Sequence, residues 1–154
     1  MSSKFASPIV VVAEKPSVGR DLARVLGAKN KGDGYLYGDT YAVTWAIGHL
    51  LMLKEPEDYD PQLKKWRKSD LPILPDEMGL KPLPKTIKQL NLIKKLINCK
   101  DTKEVICATD SGREGELIFR YIYRWAGCKK PVKRLWISSL TDESIKNGLN
   151  TNLK

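Results

Sequence analysis

Residues 104–123, EVICATDSGREGELIFRYIY, decide how this chain is read. Val105-Ile106-Cys107-Ala108 is a short apolar run, β-branched enough to form a buried strand. It leads to an acid, Asp110, and turns through Ser111 and Gly112. Beyond the turn, Leu117, Ile118, Tyr121 and Ile122 recur at helical spacing, so the expected helix carries Glu114 and Glu116 in its first turn. One acid therefore stands at the carboxyl end of a strand and another at the mouth of the next helix. In open α/β sheets ligands bind along that edge, and carboxylates held there suit a Mg²⁺ ion. A purely structural account fits the same residues. Acids in a first helical turn are favoured by the helix dipole by roughly 0.3–1 kcal/mol each, and aspartate is a common turn residue. On this stretch alone both accounts stand.

Toward the N-terminus, Pro8 precedes Ile9-Val10-Val11-Val12-Ala13, a continuous apolar run that predicts a buried parallel strand. Glu14-Lys15-Pro16-Ser17 follows, with Ser17 expected as a helix N-cap and Val18, Leu22, Val25 and Leu26 as one helical face ended by Gly27. Glu14 thus repeats the placement of Asp110, and two acids on neighbouring parallel strands can meet. Tyr35–Tyr37 and Tyr41–Trp45, either side of Gly38-Asp39, predict a β-hairpin. His49, just beyond it, reads equally as a catalytic group or a packing residue.

Lys54 to Lys85 holds six of the nine prolines and predicts a long irregular loop, a length usually kept for function or left disordered. Its Tyr59, Leu63, Trp66, Leu71, Ile73 and Leu74 lead to the expectation that it packs. Lys64-Lys65-Trp66-Arg67-Lys68 sets an indole among four cations, a device for binding single strands, or else an amphipathic loop with Trp66 tucked into the core. Thr86 opens a helix with Ile87, Leu90, Ile93, Leu96 and Ile97 on its apolar face. Val132 to Ile137 predicts a further strand, and Thr141-Asp142-Glu143 opens a last helix. Strand, helix, hairpin, helix, strand, helix, strand, helix is the order of an α/β layered domain with a mainly parallel sheet.

With 154 residues the chain suits one domain. A formal charge of +9, from 27 basic and 18 acidic residues, favours a polyanionic partner, although a solvated lysine surface would produce the same balance. No apolar run approaches the ~20 residues of a membrane helix, so no membrane partner is expected. The opening residues lack the apolar core of a secretory signal. Three cysteines with no C-x-x-C spacing point to a reducing cytoplasm.

Four motifs in order carry a resemblance. Val11-Val12-Ala13-Glu14-Lys15-Pro16-Ser17, Thr44-Trp45-Ala46-Ile47-Gly48-His49-Leu50, Asp110-Ser111-Gly112-Arg113-Glu114-Gly115-Glu116 and Arg134-Leu135-Trp136-Ile137-Ser138-Ser139 together resemble the N-terminal Toprim domain of the bacterial topoisomerase III family, within the type IA DNA topoisomerases. The likeness runs from about Ile9 to Leu149. It implies a Rossmann-like Toprim fold with the hairpin and the proline-rich loop as insertions. It also implies cleavage of one DNA strand through a 5′-phosphotyrosine, strand passage and resealing. Carried over, Glu14 is a Mg²⁺ ligand or the general acid to the leaving 3′-oxygen, Asp110 the principal metal ligand, and Glu114 the last member of the acidic cluster. Lys15 steadies the scissile phosphate, Arg113 orients the site or contacts the DNA backbone, and Trp66 stacks on a base of the single strand.

Two departures qualify the carry-over. Many relatives carry a second aspartate where this chain has Gly112, so one weakly held Mg²⁺ through Glu14 and Asp110 is expected rather than two. The family's tyrosine nucleophile has no counterpart among the six tyrosines here. The chain is therefore expected to be a single Toprim domain spanning residues 1–154, an N-terminal fragment working with the remaining topoisomerase domains and without strand passage alone. A free-standing metal-dependent Toprim nuclease, a phospho-receiver module and a non-catalytic DNA-binding module are the competing readings.

Overall fold

A computed structural model of the chain describes residues 7–151 and 153–154. The opening residues 1–6, read above for a secretory signal, and Asn152 lie outside the described residues. Strand β1 (Ile9–Ala13) is followed by helix α1 (Pro16–Leu26), then by a meander of β2 (Asn30–Lys31), β3 (Tyr35–Tyr37) and β4 (Tyr41–Trp45). After β5 (Leu51–Leu53) come a single helical turn, α2 (Pro56–Tyr59), two 3₁₀ turns, and β6 (Leu80–Pro82). Helix α3 (Ile87–Ile97), strand β7 (Glu104–Ala108), helix α4 (Arg113–Trp125), strand β8 (Val132–Arg134) and helix α5 (Asp142–Thr151) complete the chain.

The main sheet has the order β2-β3-β4-β1-β7-β8. Its four strands β4, β1, β7 and β8 run parallel, and β3 and β2 add antiparallel to one edge. The β3–β4 hairpin is the one the aromatic arms predicted. Central β1 shows why its sequence lacks polar residues. Val10 and Val12 enter one core cluster with Leu90 and Ile93 of α3 and Ile118, Phe119 and Ile122 of α4. Val11 and Ala13 enter the other, with Leu22 and Ala23 of α1 and Ile145 of α5. Helices cover both faces, so every position along the strand is dry. Each such side chain contributes about 1.5–3 kcal/mol by leaving water.

Three sequence expectations change. Lys15, not Ser17, caps α1, because Pro16 takes the first helical position, where its missing N–H costs nothing. Strand β8 ends at Arg134, although Leu135 still donates its N–H to the Cys107 carbonyl (2.9 Å) and bridges to Leu153.

The third concerns the proline-rich segment, which is organised by polar ties more than by apolar packing. β5 and β6 pair antiparallel, the Tyr59 hydroxyl accepts from the Gly79 N–H (2.7 Å), and Lys81 pairs with Asp58 (2.5 Å). The hydrogen bond from Lys81 holds the Asp58 carboxyl below the ordinary aspartate range. Trp66 and Leu71 are exposed and Leu74 is 80% exposed, so the expectation that these side chains pack inward is corrected. A segment with three turns and two three-residue strands has too little regular backbone to present one continuous apolar face.

Candidate metal and phosphate site

Register places the two strand-tip acids. β1 and β7 are adjacent and parallel, with Ala13 beside Ala108. Glu14 is the next residue after the first, and Asp110 follows two after the second. Both line one open cavity of about 460 Å³ together with Lys15, Thr109 and Ser111. Among the described residues, no hydrogen bond or ion pair engages either carboxylate. Glu14 is half-buried and Asp110 exposed. Two unpaired acids opening into one cavity repel each other unless a cation or a proton joins them.

The turn that carries Asp110 is built tightly. Gly115, in the first turn of α4, is buried against it. A Cβ there would stand 2.8 Å from the Asp110 amide nitrogen and closer still to its carbonyl oxygen. Only glycine lets the helix start against the strand tip at this distance. On the other side, Arg134 of β8 reaches across to β7, where Cys107 is its register partner. Its guanidinium donates to the Thr109 hydroxyl (2.9 Å), to the Thr109 carbonyl (3.0 Å) and to the Asp110 carbonyl, and pairs with Glu116 (2.9 Å). With 11% of its side chain exposed, it is a buried clamp on the turn.

Other site residues fall in three places. Glu114 turns toward the loop after β4, where His49 Nε2 lies 3.1 Å from its carboxylate. Arg113 is exposed at the start of α4, and Trp66 is exposed in the proline-rich segment. None of these three lines the cavity that holds Glu14, Lys15 and Asp110. Among the described residues, no three His, Cys, Asp or Glu side chains are grouped closely enough to hold a metal by themselves. Sequence reasoning missed Arg134 as a clamp. Its only sequence signal was an arginine ending a strand in a motif beside the acids, and the sheet order had to be known before that meant contact.

Cys107 also belongs to this corner, 3.2 Å from the Thr109 hydroxyl. Burial pushes its thiol up, and the thiolate is the reactive form. Under native conditions an alkylating reagent is expected to modify half-buried Cys99 first, leaving Cys107 and Cys128 intact. Mass spectrometry of the labelled peptides checks this, and early modification of Cys107 would mean that the β7 tip opens.

A parallel sheet whose carboxyl edge carries an acid after β1 and a D-x-x-x-E cluster after a later strand defines a class. The family model for the Toprim domain matches residues 9–140, and the chain belongs to that family. It is 55% identical to DNA topoisomerase 3 from Bacillus subtilis (strain 168) over 92% of its length, and 55% identical to that of Bacillus licheniformis over 96%. It spans about a fifth of each of these relatives, 20% in both. The fold also matches full-length topoisomerase I from Thermotoga maritima, with a TM-score of 0.60 at 21% identity, over 92% of this chain and 20% of that one. Among the described residues, no helix is long and apolar enough to cross a membrane.

Proposed function

We propose that this chain, residues 1–154, is a single Toprim domain serving as the N-terminal part of a type IA DNA topoisomerase, which cleaves and reseals single-stranded DNA with a tyrosine supplied by the remaining domains. The observation that carries the reading is the pair of unpaired carboxylates, Glu14 and Asp110, on neighbouring strand tips with Lys15 in the same cavity. The donor set fits Mg²⁺, which typically takes one or two carboxylates and completes its shell with water and phosphate oxygens. Glu14 and Asp110 would hold it. Glu114 would join only by leaving His49. When bound, the ion would neutralise charge on the scissile phosphate.

The chain's own residues do the rest. Lys15 places a point charge on a phosphate oxygen. Glu14 gives a proton to the 3′-oxygen as the tyrosine oxygen displaces it from phosphorus, and takes that proton back on resealing. Arg113 contacts the DNA backbone from the mouth of α4, and Trp66, exposed among its cations, stacks on a base of the strand. The basic surface, +9 overall, draws the polyanion in. Three free cysteines suit a cytoplasmic setting.

The test joins this chain to the remaining domains of the Bacillus subtilis relative and follows relaxation of supercoiled plasmid in Mg²⁺. Glu14→Gln and Asp110→Asn are each expected to lower the rate by about 10²-fold or more. Unchanged relaxation in both would overturn the reading. Mg²⁺-dependent nicking of single-stranded DNA by the isolated chain would instead favour the free-standing nuclease.

Gly112 offers a gain-of-function check. Its φ of −71° and ψ of 167° are ordinary for any residue, and a Cβ there would meet only the Asp110 carboxylate, at 3.6 Å. Gly112→Asp adds a third acid beside the cavity and is expected to tighten Mg²⁺ by about tenfold, or 1.4 kcal/mol. Calorimetric titration of the metal reads it directly, and unchanged affinity would mean that the added carboxylate points away.

A further inference from the structure

A phosphate and a cation use only the mouth of the cavity. Behind Glu14, Lys15 and Asp110 the same cavity continues between α1 and the segment after β8, and there its character changes. Val18 and Leu22 form one wall, and Leu135, Ile137 and Leu140 form the other. Leu22 and Leu135 are 0% and 2% exposed and belong to the core cluster under this face of the sheet, so the floor is fixed by packing rather than formed by mobile side chains. Ser138 and Ser139 put two hydroxyls on the rim. Gly148 of α5 holds the second wall in place. A Cβ there would come within 2.5 Å of Ile137 and 2.9 Å of Leu135, so the helix lies directly behind them.

We infer that this apolar half is a nucleoside subsite. It takes the base and sugar of a deoxynucleotide whose phosphate lies at Glu14, Lys15 and Asp110. The inference rests on the reading under Proposed function and adds to it a contact beyond the phosphate. A ligand that is anionic at one end and flat and weakly polar at the other matches a cavity with charge at the mouth, aliphatic walls and two hydroxyls on the rim. A volume of about 460 Å³ lies within the range of small-ligand pockets. Aliphatic walls cover either face of any base, and serine hydroxyls both donate and accept. The subsite therefore holds a base without selecting one, as an enzyme acting along a strand requires.

The experiment uses the purified chain in Mg²⁺ with two probes: a five-residue oligothymidylate, and the same backbone with every base replaced by an abasic tetrahydrofuran. Methyl and amide NMR spectra are followed through both titrations. The intact oligomer is expected to shift the methyls of Val18, Leu135, Ile137 and Leu140 together with the amides of Lys15 and Ser111. The abasic one is expected to shift only the amides and to bind about tenfold more weakly. Val18→Trp fills the apolar half without touching the acids, and should remove the tenfold difference while leaving the abasic titration unchanged. Equal affinities for the two oligomers, with silent methyls and shifted amides, would overturn the subsite and spare the topoisomerase reading. Silence of both methyls and amides with either oligomer would overturn both.

Discussion

Arg134→Ala is expected to be the most damaging single substitution near the site, costing about 3 kcal/mol. Only 11% of the arginine side chain is exposed, and it satisfies the Thr109 hydroxyl, two consecutive carbonyls and the Glu116 carboxylate. Thr109 is buried, so water cannot readily replace what it loses. An unsatisfied buried polar group costs about 1–3 kcal/mol, and a carboxylate left without its buried partner adds to that. Glu116 is 38% exposed, so solvent screens part of its share. Denaturant unfolding should show the loss as a lower midpoint at unchanged slope. The surviving folded fraction should bind Mg²⁺ more weakly, because the Asp110 backbone is no longer held. Arg134→Lys should recover little. An ammonium can face Glu116, but it cannot fork to two carbonyls at once. A loss below about 1 kcal/mol, or full rescue by lysine, would show that the turn holds itself.

Gly115→Ala is expected to disable the site through sterics alone. Alanine is the better helix former by about 1 kcal/mol, so on a free helix the change would stabilise. Here the added methyl meets the Asp110 backbone, with the amide nitrogen 2.8 Å away and the carbonyl oxygen nearer. Backbone cannot swing aside as a side-chain end can. Forcing a methyl into such a contact costs about 1–3 kcal/mol, occasionally more, and the steric term outweighs the propensity. The net loss of about 2 kcal/mol corresponds to a fall in melting temperature of about 4–8 °C for a chain of this size. The clash can be relieved only by moving the turn off α4, which carries Asp110 away from Glu14. Gly112→Ala is the control, since its Cβ has room, and it should melt close to the parent. A Gly115→Ala protein that melts with the parent and binds Mg²⁺ as well would mean that the helix shifts instead and the acids stay paired.

These two expectations divide what was legible in the sequence from what was not. Apolar runs such as Ile9–Ala13 and Val105–Ala108 announce strands buried on both faces, because a strand covered by helices on each side has no wet position to mark with a polar residue. The periodic faces of α1, α3 and α4 are equally plain, since each helix buries one stripe against one sheet face. The acids at Glu14 and Asp110 could be assigned to strand tips on local grounds. The proline-rich segment could not be read this way. Its β5–β6 pair and its exposed Trp66, Leu71 and Leu74 depend on polar ties such as that between Asp58 and Lys81, 23 residues apart.

What the amino-acid order determined by itself is the set of elements and the edge on which the acids stand, because both follow from short-range periodicity and turn chemistry. Which strand lies beside which was decided only by the tertiary structure. Parallel neighbours are joined through long crossovers, so adjacency of β1 and β7 leaves no mark within either strand. The same holds for the Arg134 clamp, the demand for glycine at 115 and the apolar half of the cavity. Each arises where segments remote in the chain meet, and contact distance is a property of the packed layers rather than of any one segment.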